Sequence, residues 1–189
     1  MIIRQAEEDD AQQIMALFHI ILDEMEVPLL KQADDGKLRK ALERSFETKE
    51  CRSTLAQILV ADVNGDVAGI AFGYPNENED KVDSLLCRFF PAVGLQKRDS
   101  VYDQDDSNLP DEWYLDSLVV SPKYRGQGIG TALLKALPKV ARRRSKSRIG
   151  LDVDVENKHA EHLYRHLGFK GHSTCCIDDH EYKHLQIAV

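Results

Sequence analysis

One segment constrains this chain more than any other: Tyr124-Arg125-Gly126-Gln127-Gly128-Ile129-Gly130-Thr131, with three glycines alternating in five residues. An apolar run, Trp113 to Val120, precedes it and reads as a strand followed by a turn at Ser121-Pro122. A helical run follows, Thr131 to Leu137, carrying Ala132, Leu133, Leu134 and Leu137; a bend is expected at Pro138 before the helix ends in Arg142-Arg143-Arg144. Glycines let a backbone curl tightly and approach a ligand without Cβ clashes. Successive N–H groups then face one concavity, and a helix N-terminus adds partial positive charge, which suits a phosphate or pyrophosphate. A mere tight turn is the plainer alternative. A P-loop is excluded, because GxxxxGK[ST] needs a lysine that is not there. A dinucleotide fingerprint fits poorly. Gly126 and Gly128 match its first two glycines and Asp152 or Asp154 its acid, but Thr131 stands where the third glycine belongs.

The rest of the chain gives that loop a mixed α/β setting. Met1 to Gln5 reads as a short strand. A helix follows, capped by Asp9 or Asp10, with Ile14, Leu17, Phe18, Ile21 and Leu22 at helical spacing. A second helix is predicted over 36–46, with Leu38, Leu42 and Phe46 on one side. Residues 56–62 and 67–74 read as two strands joined by a turn at Asn64-Gly65. Beyond the glycine loop come a strand at 149–155, a helix over 158–167 stopped by Gly168, and two strands, about 170–177 and 181–188, around Asp178-Asp179-His180.

Residues 75–112 break the pattern. Ten acids there face four bases, a local net charge of −6, and Val82, Leu85, Leu86, Phe89 and Phe90 suggest a short helix within an otherwise structureless connection. Such a stretch is a solvated loop or a substrate-facing one. At 189 residues the chain is expected to be one domain, 1–189, with this acidic insertion. Its charge of −7 and pI near 5.5 oppose indiscriminate nucleic-acid binding. No apolar run reaches the roughly 20 residues of a membrane span, and Met1-Ile2-Ile3-Arg4-Gln5 has no signal-peptide character; a cytoplasmic location is predicted. Cys51, Cys87, Cys175 and Cys176 form no CxxC and read as free thiols.

Taken together, these residues resemble the GCN5-related N-acetyltransferase superfamily. Arg125, Gly128 and Gly130 match its coenzyme A loop, (R/Q)xxGx(G/A). Asn157, Ala160, Leu163, Tyr164 and Gly168-Phe169 match its Nxx(A)xxLYxxxGF stretch, and Ile3-Arg4-Gln5-Ala6 with Asp10 and Ile14 looks like its opening strand and helix. The likeness is specific over 113–169 and fades in 75–112. It implies an acyl-CoA N-acyltransferase fold: a mostly antiparallel twisted sheet with a splayed parallel strand pair, flanked by helices. It implies direct acetyl transfer from acetyl-CoA, as co-substrate and without metal, to a primary amine on a small molecule or a protein lysine. The alternative is a non-catalytic acyl-CoA-binding regulatory module.

Site roles carried over by the resemblance are as follows. The backbone of Leu118 and Val120 would hold the pantetheine and acetyl groups. A freed amide of Val119 or Val120 would stabilise the oxyanion. Backbone N–H groups of Arg125, Gly126, Gln127, Gly128, Ile129, Gly130 and Thr131 would cradle the pyrophosphate. Tyr164 matches the general acid, with core packing as its plainer role. Asn157 would contact the coenzyme, cap the next helix, or both. Asp116 aligns with a base, alternatively a structural or substrate-orienting carboxylate, and Glu112 is a weaker candidate.

The acidic 75–112 segment suggests a cationic acceptor, such as a polyamine, an aminoglycoside-like compound or a lysine side chain. Neither a nucleic acid nor a membrane is expected as partner, and oligomeric state, a homodimer included, is not readable. His159, His162 and His166 read as a solvated helix face rather than metal ligands. Arg142-Arg143-Arg144-Ser145-Lys146 reads as a basic helix end rather than a nucleic-acid contact, and Cys175-Cys176 as plain strand.

Overall fold

A computed structural model describes residues 1–24, 34–101, 109–177 and 180–189. The described strands form one seven-stranded sheet in the order β1-β2-β3-β4-β5-β7-β6: β1 (Ile2–Gln5), β2 (Gln57–Val63), β3 (Asp66–Pro75), β4 (Glu112–Val120), β5 (Arg148–Asp154), β6 (Lys170–Ile177) and β7 (His180–Ala188). Every neighbouring pair is antiparallel except β4 and β5. The β2–β3 hairpin turns at Asn64 and Gly65, whose φ values are 55° and 92°, and the Asp62 carboxylate accepts from Gly65 N–H at 2.9 Å.

Helices cover both faces. On one lie α1 (Ala11–Glu24) and α2 (Asp35–Phe46), both amphipathic; α1 packs on β3 and β4, and α2 packs on α1 and reaches the sheet through Phe46 against Phe72. Phe18, Phe46 and Phe72 meet there edge to face, with ring centroids 5.2 to 6.4 Å apart. Asp34 caps α2, accepting from Lys37 N–H at 3.1 Å. The other face carries α4 (Ile129–Arg143), which buries Leu133, Leu134 and Leu137, and a second cluster around Leu115, Leu151 and Phe169.

Three expectations change in detail. Asp10 is not an N-cap: Glu8–Asp10 form a 3₁₀ turn leading into α1, Asp10 accepts from Glu7 N–H at 2.8 Å, and Arg4 grips its two oxygens at 2.6 and 2.9 Å. The glycine loop passes into helix at Ile129, two residues before the expected Thr131. As expected, the helix runs on past Pro138 and ends at Arg143 within the basic run; its buried face offsets the one backbone donor that proline lacks. The acidic segment is not structureless. Asn76–Asn78 and Pro91–Val93 form 3₁₀ turns around α3 (Glu79–Leu86), pinned by Val82, Leu85, Leu86 and Phe90, which are buried. The Ser45 hydroxyl on α2 faces the Leu85 and Leu86 carbonyls at 3.1 and 3.0 Å. Asp103, Asp105 and Asp106, and the expected turn at Asp178-Asp179, lie outside the described residues.

Candidate functional site

The site begins with a defect in β4. Phe72 pairs with Ser117 and Gly73 with Leu115, so Asp116 has no partner on β3 and forms a β-bulge. Gly73 makes room for it: a Cβ there would lie 2.3 Å from the Tyr114 carbonyl oxygen and 2.4 Å from the Trp113 ring. On its other side β4 pairs with β5 only from Glu112 opposite Arg148 to Leu115 opposite Leu151. Beyond Leu115 the ladder stops, and the strands part between helices rather than at the rim of the sheet.

Which peptide groups face that fork follows from strand alternation. Ser121 N–H donates to Ala68 at 2.9 Å, and the Val119 carbonyl abuts Gly69, 2.9 Å from where a Cβ would sit. Residues 119 and 121 therefore turn their peptide groups to β3. Leu118 and Val120 turn theirs to the fork. Of the two amides that the sequence offered for an oxyanion, Val119 is thus directed into the sheet and Val120 into the opening. The Val120 carbonyl is taken by Arg125 Nε at 3.3 Å. The same Arg125 guanidinium lies 3.6 Å from Glu24 at the end of α1.

The loop itself supplies unpaired amides. Arg125 N–H reaches back to Pro122 at 3.4 Å, and Ala132 N–H begins the helical series by donating to Gly128 at 3.0 Å. Between them, the N–H groups of Gly126, Gln127, Gly128, Ile129, Gly130 and Thr131 donate to no carbonyl among the described residues. Gly126 and Gly128 both hold φ at 76°, and a Cβ on either would meet nothing within 4 Å. Glycine is required there for backbone conformation and not for space. Gly130 packs between the two walls of the site: a Cβ on it would lie 3.7 Å from Leu163 and 3.8 Å from Val120. Ile129 anchors the arrangement with a buried side chain. A curl of free amides ending on a fifteen-residue helix fits a diphosphate, and the free strand edge beside it fits an amide-bearing arm.

Tyr164 lies on α5 (Lys158–His166), beside Leu163 in sequence. Its ring packs on Phe169, centroids 5.9 Å apart, and burial pushes its pKa up to about 12. The phenol is therefore protonated throughout the physiological range. Asn157 caps α5, accepting from Ala160 N–H at 3.0 Å.

Asp116 is half-buried. Burial pushes its pKa up to about 6, against hydrogen bonds from the Ser117 hydroxyl (2.5 Å) and the Tyr74 hydroxyl (3.3 Å) that favour the charged form. The negative charges of Asp83 on α3 and Asp152 on β5 add to the rise. A carboxylate in this state ionises near neutrality and accepts a proton readily. Glu112 is placed differently: it is fully buried, with one oxygen 2.6 Å from Gln186 Nε2 and 3.2 Å from His184 Nε2. It is occupied inside the sheet and is not available as a base in the fork.

The sequence reading missed the polar residues beneath the fork. Asp152 accepts from the Tyr114 hydroxyl at 3.0 Å and from His184 Nδ1 at 2.8 Å. A signal was present: Glu112, Tyr114 and Asp116 alternate with Trp113 and Leu115, and Asp152 and Asp154 alternate with Leu151 and Val153. Polar residues on the hidden face of a central strand require partners.

Elsewhere, the basic run is partly engaged within the chain. Arg144 donates to the Ser53 and Thr54 carbonyls, both at 2.6 Å, and Lys146 pairs with Glu77 at 2.6 Å. His162 and His166 stack, centroids 6.4 Å apart; among the described residues no group of three or more His, Cys, Asp or Glu side chains is arranged to hold a metal ion. No described helix is long and apolar enough to cross a membrane.

Comparison with known proteins gives this geometry a context. The profile of the Acetyltransferase (GNAT) family matches residues 15–169. A solved structure described as an acetyltransferase superposes with a TM-score of 0.86 at 38% identity, covering 100% of both chains. That of an N-acetyltransferase from Staphylococcus aureus Mu50 gives 0.78 at 26%, covering 99% of this chain and 100% of that one. Among curated proteins, thialysine N-epsilon-acetyltransferase of Mus musculus is 46% identical over 55 residues, which is 29% of this chain and 32% of that protein. Spermine/spermidine N(1)-acetyltransferase of Bacillus subtilis is 30% identical over 100 residues, 47% of this chain and 64% of that one. The matched stretch thus spans about a third of the length of the first of these relatives.

Proposed function

The chain belongs to the acetyltransferase (GNAT) family, and we propose that it transfers the acetyl group of acetyl-CoA directly to a cationic primary amine, with Asp116 as base and Tyr164 as acid. The observation that carries this reading is the fork. It combines a free strand edge, a curl of unpaired amides and a carboxylate poised near pH 6 at the point where β4 leaves β5.

Each group has a defined task. The amides of residues 126–131 hold the diphosphate, with the α4 N-terminus adding partial positive charge. The peptide groups of Leu118 pair with the pantetheine arm, and the Val120 N–H donates to the thioester oxygen as negative charge develops on it. An ammonium is no nucleophile. Asp116, as carboxylate, takes one proton from the ammonium, the freed amine nitrogen bonds to the acetyl carbon, the carbon–sulfur bond breaks with its electron pair passing to sulfur, and the second proton shed by the new amide nitrogen restores the Tyr164 phenol. Tyr164 donates to the departing sulfur, where a protonated phenol favours the leaving thiolate. Asp83 and Asp152 around Asp116, and the net charge of −7, favour a positively charged acceptor. Names among the relatives, thialysine and spermine/spermidine acetyltransferases, agree with that class.

Thiol release from acetyl-CoA is the decisive measurement, run with polyamines, lysine-like amines, and neutral and acidic amines. Cationic acceptors are expected to be faster by tenfold or more, about what 1.4 kcal/mol of charge recognition gives. Equal rates across the panel would remove the charge argument. Tight acetyl-CoA binding with no turnover on any amine would favour a regulatory acyl-CoA-binding module. Replacing Tyr164 by Phe is expected to leave coenzyme A affinity within about twofold and to slow transfer about 10²-fold or more; unchanged rates would take Tyr164 out of the chemistry.

A further inference from the structure

Beneath the fork runs a hydrogen-bonded array that neither the loop nor the acid–base pair accounts for. His184 on β7 stands opposite Asp152 on β5 in the sheet register. Its Nδ1 lies 2.8 Å from Asp152 Oδ1 and its Nε2 3.2 Å from Glu112 Oε2. The other Asp152 oxygen accepts from the Tyr114 hydroxyl at 3.0 Å, and Glu112 Oε2 also accepts from Gln186 at 2.6 Å. His184 and Glu112 are at most 1% exposed. The Tyr114 ring meets the Tyr74 ring at 5.6 Å, and the Tyr74 hydroxyl reaches Asp116 at 3.3 Å. Asp152 and Asp116 are each the first residue beyond the last parallel pair, Leu115 opposite Leu151, one on each arm of the fork.

We propose that His184 is a positioning residue that acts on Asp116 through Asp152: by clamping Asp152 on the far arm of the fork, it sets the negative charge that Asp116 meets there, and with it the pH range in which Asp116 can take a proton from the acceptor. This rests on the reading of Asp116 as base and names a control on it.

Local chemistry supports the assignment. Burial works against a charged imidazole, but the hydrogen bonds to Asp152 and Glu112 outweigh it and the ring pKa is pushed up to about 9. Both ring nitrogens then carry protons and both donate. The imidazolium thus stands between the Asp152 and Glu112 side chains, donating to one oxygen of each. The His172 ring on β6 meets the His184 ring at 6.0 Å, and the neutral Tyr114 and Gln186 side chains join the array through Asp152 and Glu112. Those facing Asp116 are Asp83 on α3, Tyr74 on β3, Ser117 beside it, Asp152 on β5, and the buried Cys51 thiol, which its charge helps hold protonated. Space for the array is built into the backbone: a Cβ on Gly150 would fall 2.1 Å from the Glu112 carboxyl carbon.

The test uses two substitutions that change the array's charge in opposite directions. His184→Gln keeps a side chain that can hydrogen-bond but removes the positive charge, so Asp116 becomes harder to ionise. The acid limb of kcat/KM is expected to move to higher pH by about half a unit or more. Asp152→Asn removes a negative charge facing Asp116, so the limb is expected to move to lower pH by a similar amount. In the resting protein, the Asp116 carboxyl titration followed by carbon NMR is expected to shift in the same two directions. Rates that fall equally at all pH values, with neither limb nor NMR titration moved, or shifts of one sign in both variants, would reduce the array to a staple between strands and overturn the proposal. If His184→Gln does not fold, His184→Asn, which also removes the positive charge, is read in its place, and an unmoved Asp116 titration there overturns the proposal. The two readings fail separately. Asp116→Asn with a wild-type rate would remove the base, while the NMR titrations would still show whether His184 and Asp152 govern Asp116.

Discussion

At the scale of single residues, Asp116 shows a conflict between folding and chemistry. Its raised pKa means that the folded state holds the proton more tightly than the unfolded chain does. Stability is therefore lost as pH rises from about 4 to about 6, where the unfolded carboxyl is ionised and the folded one is being forced to ionise. Asp116→Asn is expected to raise stability at pH 7 by about 1–2 kcal/mol, read by urea denaturation, while slowing transfer; a less stable variant would mean that the Ser117 and Tyr74 hydrogen bonds outweigh desolvation. Asp10 behaves in the opposite way. The hydrogen bonds from Arg4 hold its carboxyl below the usual range, so its contribution is present near neutrality and is lost as pH falls through that lowered value. Asp10→Ala is expected to cost about 1.5–3 kcal/mol at pH 7 and progressively less in acid, since a buried, charge-assisted pair is broken. Asp10 was legible as an acid at a helix start. Its true partners were not, because Arg4 lies on β1 and reaches it only after folding.

At the scale of elements, the glycine loop and the β4 bulge depend on glycine for different reasons. Gly128→Ala meets no atom but must hold positive φ, at about 1–2 kcal/mol, so coenzyme A affinity is expected to fall while the fold survives. Gly73→Ala instead drives a methyl into the Tyr114 carbonyl and the Trp113 ring. It is expected to cost about 3 kcal/mol or more and to close the bulge that presents Asp116. Thermal melts and coenzyme A titrations of the two variants separate these cases: loss of melting temperature without loss of affinity in Gly128→Ala would reverse the assignment. The loop was readable from spacing alone. The bulge was not, since it exists only as a mismatch between two strands about forty residues apart. The acidic segment, read as a loop with a short helix, was more ordered than its charge suggested because its few apolar residues found α2 and β3 to cover them.

At the scale of the whole molecule, two antiparallel units, β1–β4 and β5–β7, meet along a parallel ladder of four residue pairs, reinforced by the Glu112–His184–Asp152–Tyr114 array. Because the folded pKa of His184 is raised, its contribution is complete below the ordinary histidine value near 6.5 and is lost as pH rises through about 9. Stability is expected to decline over that window in the parent and to stay flatter in His184→Gln; identical profiles would show that the ring is not charged in the fold. The sequence by itself determined the order of elements, the loop and the family, because glycine spacing, turn residues and hydrophobic period are local properties of a chain. It also identified Asp116 and Tyr164 as candidates. Only the tertiary structure decided that Glu112 is locked away, that Val120 rather than Val119 faces the opening, and that His184 and Asp152 belong beside the fork. Those are facts about register and burial across strands distant in sequence, where a shift of one residue turns a side chain to the other face.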